Sequence, residues 1–176
     1  MPPKLQHPVP EHHLIEIGDI TVSFALLEFS IQHLISSFIN EHQRIGKIVC
    51  VELSFKNLRA LGISLYLEKF GEDDDYKSLR NFMKRAGKIE EQRNQIIHSI
   101  WTAGKDKNHV NRNKTTAKEK DGLKFKSEEY SVERLSNLAT QIKILAFDVQ
   151  QFWLHLLETS KTYNNPAKGT SKSFPV

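Results

Sequence analysis

The sequence contains a single cysteine, Cys50, among 176 residues. No internal disulfide can form, and such sparing use points to a reducing, cytoplasmic setting. No stretch is long and apolar enough to span a bilayer as a helix, so no membrane association is expected. The opening residues, MPPKLQHPVPEHH, carry prolines where an export signal would carry an apolar run. There is no P-loop, no dinucleotide fingerprint and no paired-cysteine motif. His7, His12 and His13 stand in what reads as a loose start, without metal-ligand spacing. No cofactor and no metal are therefore expected.

What is present suits one compact domain, expected over residues 12–158, with flexible termini at 1–11 and 159–176. Hydrophobic residues make up 39% and charged residues 26%, enough for one core under a solvated surface. A net charge of +4 permits a polyanionic partner.

Four amphipathic segments follow one another. Ile20, Phe24, Leu27, Ile31, Leu34 and Phe38 recur at steps of four and three, one face of a long first helix. Ser23, Ser30, His33 and Ser37 fall on its other faces and are expected in solvent. A break at Gly46 precedes a β-branched run that is ambiguous between states. Ser54 suits a helix cap, and Phe55, Leu58, Leu61 and Leu65 then mark a second helix. GEDDD reads as a turn whose acids favour the next helix start, rather than as a metal loop. The third helix is expected over 74–101, with Leu79, Phe82, Ala86, Ile89, Arg93, Ile96 and Ile100 in its stripe. Residues 104–131 lack a stripe and contain Asp121-Gly122, so they read as an extended arm or a β-hairpin. Ser131 caps a last helix striped by Leu135, Leu138, Ile142, Leu145, Val149, Phe152 and Leu156. The expected fold is all-α, an antiparallel four-helix bundle with that basic arm before its last helix.

Arg93 is the irregular member of its stripe. An arginine at a core-facing position needs an acid, a cavity or a subunit interface. A structural ion pair or a snorkelling side chain meets that need as well as a functional site does. On a straight helix Arg93 and His98 diverge by about 140° and lie about 7.5 Å apart along the axis. Asn94 and His98, four apart, share a face, which Glu91 and Trp101 extend. Such a polar stripe suits a two-fold interface that brings two copies into one cleft.

Arg93-Asn94-x-x-x-His98, within EEQRNQIIHSIW, resembles the R-x4–6-H signature of the HEPN superfamily (higher eukaryotes and prokaryotes nucleotide-binding). In that family the residue after the arginine is often Asn, Asp or His. The likeness extends to Leu27-Glu28 on the first helix, to LSFKNLRAL at 53–61 and to the basic RNKTTAKEKDGLKF at 112–125, and so to most of residues 13–158. It implies a helical bundle and a metal-independent endoribonuclease, often a homodimer with its cleft at the interface. Such proteins act as toxins paired with an antitoxin protein or as phage-defence effectors.

On that reading the substrate is RNA, whose 2′-OH is the nucleophile. His98 would carry protons, since an imidazole titrates near neutrality. Arg93 would hold the phosphate and its developing charge, and Asn94 would hold an oxygen or orient His98. Glu28 and Glu91 are supporting candidates, and Glu28 reads equally well as a rim carboxylate. Arg112, Lys114 and Lys118 in the basic arm would contact the RNA backbone, although a solvated loop accounts for the same charges. Two other readings stay open. One is a non-catalytic module of the same fold that binds RNA, a nucleotide or a partner. The other is an oligomerisation domain with a structural Arg–Glu pair.

Overall fold

No proline occurs between Glu11 and Asn165, so no proline breaks a helix there. The computed structural model describes residues 7–39, 43–118, 122–159 and 161. Among them are five helices and one sheet. In chain order these are α1 (Glu11–Ile39), α2 (Gln43–Val51), α3 (Phe55–Phe70), α4 (Asp74–Ile97), β1 (Ile100–Ala103), β2 (His109–Lys118), β3 (Gly122–Ser131) and α5 (Val132–Glu158). The protein is thus mostly helical rather than all-α. The expected arm is a long β2–β3 hairpin to which β1 adds a third antiparallel strand. The ambiguous run before Ser54 is the short helix α2. Asp121, placed in the hairpin turn, lies outside the described residues.

The helix ends follow local chemistry. Ser54 caps α3 by accepting from the Asn57 N–H, and Gly71 closes it at φ 82°. Asp73 accepts from the Tyr76 N–H at 2.8 Å and starts α4. Ser131 accepts from the Arg134 N–H at 3.3 Å at the start of α5. α4 stops at Ile97, four residues short of the expected end. The Ser99 hydroxyl donates to the Gln95 carbonyl at 2.5 Å and the Trp101 indole to the Ile96 carbonyl at 3.0 Å. These bonds take up last-turn carbonyls that a longer helix would have used. Ile100, expected in the apolar stripe, is instead 69% exposed on β1.

The chain divides into two compact units, Met1–Leu26 with Lys88–Ile144, and Leu27–Gly87 with Leu145–Val176. In the first, Ile20, Phe24, Ile96, Val110, Leu135 and Ile142 are buried. Lys143 of α5 pairs with Asp19 of α1 at 2.5 Å. In the second, Leu34, Phe38, Leu58, Tyr66, Met83 and Leu145 form the core. Gln150 of α5 donates to Ser30 of α1 at 3.1 Å. So α5 packs against α1 in both. Cys50 is fully buried, and burial pushes its thiol up to about 11.

Three serines expected in solvent are buried: Ser23, Ser30 and Ser37. Each hydroxyl finds a nearby partner. Ser23 donates to Asp19 and Ser37 to the Leu34 carbonyl, while Ser30 accepts from Gln150. A small polar group satisfied in this way costs little to bury. Residues 9–13 are also more firmly placed than expected. Val9 is 2% exposed, and His12 and His13 belong to α1. At the other end Lys161 meets Asp73 at 2.6 Å and Asp75 at 2.7 Å. Burial works against its charge, yet these carboxylates and the Tyr66 hydroxyl hold the ammonium above its ordinary range.

Candidate functional site

Arg93, Asn94 and His98 sit at the C-terminal end of α4 and in the turn that follows, within the first unit. Arg93 is half-buried. Its Nη1 donates to the side-chain oxygen of Asn94 at 3.0 Å. Its Cζ lies 5.1 Å from the centre of the Phe24 ring, a distance at which a guanidinium is attracted to the aromatic face. Its Nε is buried and has no hydrogen-bond partner among the described residues. Among the described residues of its own unit, then, this cation meets a neutral amide and a ring rather than a carboxylate.

His98 lies one residue beyond α4, and its backbone N–H still donates to the Asn94 carbonyl at 3.1 Å. The helical path therefore carries through Asn94 to His98 although the helix has ended. The imidazole is exposed and makes no hydrogen bond among the described residues. Glu91 is exposed about two turns before His98 on α4. Glu28 is half-buried on α1 and belongs to the second unit.

The basic arm separates into two parts. At its base, Arg112 is only 3% exposed. Its Nη2 donates to Glu128 across the β2–β3 ladder at 2.8 Å, and its Nη1 to the Gln95 carbonyl of α4 at 3.1 Å. Arg134 of α5 binds the other Glu128 oxygen at 2.8 Å and lies 3.7 Å from the Tyr130 ring centre. The Arg134 bond, with that of Arg112, holds the Glu128 carboxyl below its ordinary range despite burial. Arg112, read from the sequence as an RNA contact, is thus committed to anchoring the hairpin on the last turn of α4. That makes it a positioning residue for the turn carrying His98.

Further out, Lys114 is exposed and sits directly opposite Lys126 in the ladder. Like charges at such a pairing repel, and an anion between them would relieve the repulsion. Lys118 is in β2, but its side chain lies outside the described residues.

Sequence reasoning missed the two-sided role of Gln95, whose carbonyl accepts from both Arg112 and Ser99. It also missed the clasp at the other end of the sheet. His12 donates from Nε2 to the Lys107 carbonyl at 2.8 Å, and His13 to the Asn108 carbonyl at 3.2 Å. A carbonyl can only accept, so in each ring Nε2 carries the proton. His13 is fully buried, and its ordinary value is lowered by burial and by the neighbouring His12. A period-two reading of Val110, Arg112 and Lys114 against Tyr130, Glu128 and Lys126 places Arg112 opposite an acid. That signal was available in the sequence once the hairpin register was fixed.

Among the described residues, no three His, Cys, Asp or Glu side chains gather into a set that could hold a metal ion. No described helix is long and apolar enough to cross a membrane. No family model, curated protein or solved structure matches this chain.

Proposed function

We propose that the protein is a metal-independent endoribonuclease acting as a toxin or defence effector, and that its long helices form an antiparallel bundle of the HEPN type. The observation that carries this reading is the Arg93 guanidinium. It is held by Asn94 and Phe24 without a carboxylate partner among the described residues of its unit, about a turn and a half from an exposed imidazole. A cation kept without a counter-charge is suited to receive an anionic group.

In this mechanism the RNA 2′-OH attacks the adjacent phosphorus. The O2′–P bond forms and the P–O5′ bond breaks, leaving a 2′,3′-cyclic phosphate and a 5′-hydroxyl. One imidazole accepts the 2′-OH proton and another protonates the departing O5′. Arg93 neutralises the non-bridging oxygens as charge builds on them. Each chain supplies one His98, so a homodimer with a shared cleft provides both base and acid. Ile15 and Val22, 61% and 72% exposed and seven residues apart on α1, support such pairing, as exposed apolar side chains at helical spacing favour association. Lys114 contacts the RNA backbone, and a partner antitoxin restrains the activity in the cell.

The test is incubation of the protein with mixed RNA in EDTA, comparing the native chain with His98→Ala and Arg93→Ala. Loss of cleavage in both variants with folding intact supports the assignment. Retained cleavage in His98→Ala removes it. The alternative, a binding module that does not cleave, is favoured by one observation. The His98 ring has no orienting hydrogen bond among the described residues, whereas a catalytic base is usually held by a third group. RNA binding without cleavage would select that alternative.

A further inference from the structure

We propose that the groove between α3 and α4 is a second RNA-binding surface, which takes the phosphodiester backbone of a single strand. The proposal rests on RNA being the ligand at the candidate site. The groove has a volume of about 680 Å³ and lies wholly within the second unit. Lys56, Arg59, Lys77, Arg80 and Lys84 line it, and among the described residues no carboxylate does. Asn81 adds a neutral donor.

The arrangement follows from helical spacing. Lys77, Arg80, Asn81 and Lys84 fall at steps of three, four and seven, which sets them along one face of α4. Their span is about 10 Å along the axis. Lys56 and Arg59 face them from α3 at the same kind of step. Lys77 is offset by a nearby acid, Asp74 at 2.8 Å, and that pair is exposed. Arg80 lies 5.7 Å from the centre of the Tyr76 ring, and among the described residues no acid pairs with Lys56, Arg80 or Lys84.

Arg59 marks the groove as built rather than accidental. Its Nη1 donates to the Met83 carbonyl of α4 at 3.0 Å, which fixes the guanidinium between the helices. Gly87 makes room for it, since a Cβ there would lie 2.5 Å from the Arg59 Nη1. A row of cations on both walls with a fixed guanidinium between them suits a chain of phosphates. It does not read bases, because phosphate contacts position a nucleic acid without specifying sequence.

The experiment measures anisotropy of a labelled single-stranded oligoribonucleotide with 2′-O-methyl sugars, which the protein cannot cleave because the nucleophile is blocked. The full-length chain is compared with Arg80→Glu/Lys84→Glu and with the charge-matched control Arg44→Glu/Lys47→Glu. All four residues are exposed, so the fold is retained. The groove variant should bind at least about tenfold more weakly than the control at 0.1 M salt. Its plot of log affinity against log salt should flatten by about 1.4, the loss of two single-strand phosphate contacts. Equal affinity and slope in the two variants would overturn the proposal. So would unchanged RNA binding alongside lost binding of poly-glutamate, which would assign the groove to an acidic protein. Weakened binding in the groove variant, with no cleavage by the native chain, would leave the groove standing and reject the ribonuclease reading. Cleavage that depends on His98, with RNA binding indifferent to the groove, would do the reverse.

Discussion

Arg93 donates to the side-chain oxygen of Asn94 at 3.0 Å, although adjacent residues on a helix do not face one another. The long arginine side chain bends sideways to make the bond while lying over Phe24. Asn94 therefore positions Arg93 in addition to any contact it makes itself. Asn94→Ala should lower the cleavage rate by about ten- to a hundredfold, less than the loss of a whole charge-stabilising group. Asn94→Asp should also slow the reaction, since its carboxylate would neutralise the guanidinium and repel phosphate. Single-turnover cleavage rates, with circular dichroism as a check on folding, measure both.

Arg112 and Glu128 lead to an asymmetric prediction for stability. Removing Glu128 leaves a guanidinium that is 3% exposed without its carboxylate, a loss of about 3–5 kcal/mol. Removing Arg112 leaves Glu128 still bonded to Arg134 and frees the Gln95 carbonyl, a loss of about 1–3 kcal/mol. Urea unfolding of Glu128→Ala and Arg112→Ala should rank them in that order. Lys114→Glu replaces a like-charge pair with Lys126 by an opposite-charge one, so it should raise the unfolding midpoint slightly while weakening RNA binding.

The clasp at His13 makes stability depend on pH. Nε2 donates to Asn108, so a second proton would go onto the buried Nδ1, which has no partner among the described residues. Burial and His12 lower the folded value from 6.5, with His109 adding to the effect and the Asn108 hydrogen bond and Glu133 opposing it. The unfolded chain then binds more protons than the folded one at mildly acidic pH. The contribution to stability is complete above pH 6.5 and is lost as pH falls through the lowered folded value. His13→Gln keeps a donor for the Asn108 carbonyl and cannot titrate. Melting temperatures from pH 8 to 5 should fall less steeply in that variant. Some slope should remain, because His33 is lowered in the same direction by burial and Lys47.

Much of the helical layout was legible in the sequence, for a physical reason. All six striped residues from Ile20 to Phe38 and all seven from Leu135 to Leu156 are buried. Apolar side chains at helical spacing have no other favourable place. The errors fell where a polar group is satisfied locally. Ser23, Ser30 and Ser37 go inside because a partner lies within a turn or on the facing helix, which hydropathy does not register. α4 ends early because side chains of Ser99 and Trp101 replace backbone donors. At the candidate site, the odd placement of Arg93 was visible, but its neutral partner was not. Arg112 was read as an exposed cation because its burial depends on the β2–β3 register, which composition does not fix.

The central claim is that His98 and Arg93 together cleave RNA without a metal. Its most direct test is cleavage of a defined RNA in EDTA by the native chain, with the new ends identified chemically. The account predicts 2′,3′-cyclic phosphate and 5′-hydroxyl ends, with a rate that falls by about 10²- to 10⁴-fold in His98→Ala. An unchanged rate in His98→Ala, or products bearing 5′-phosphate, would contradict it.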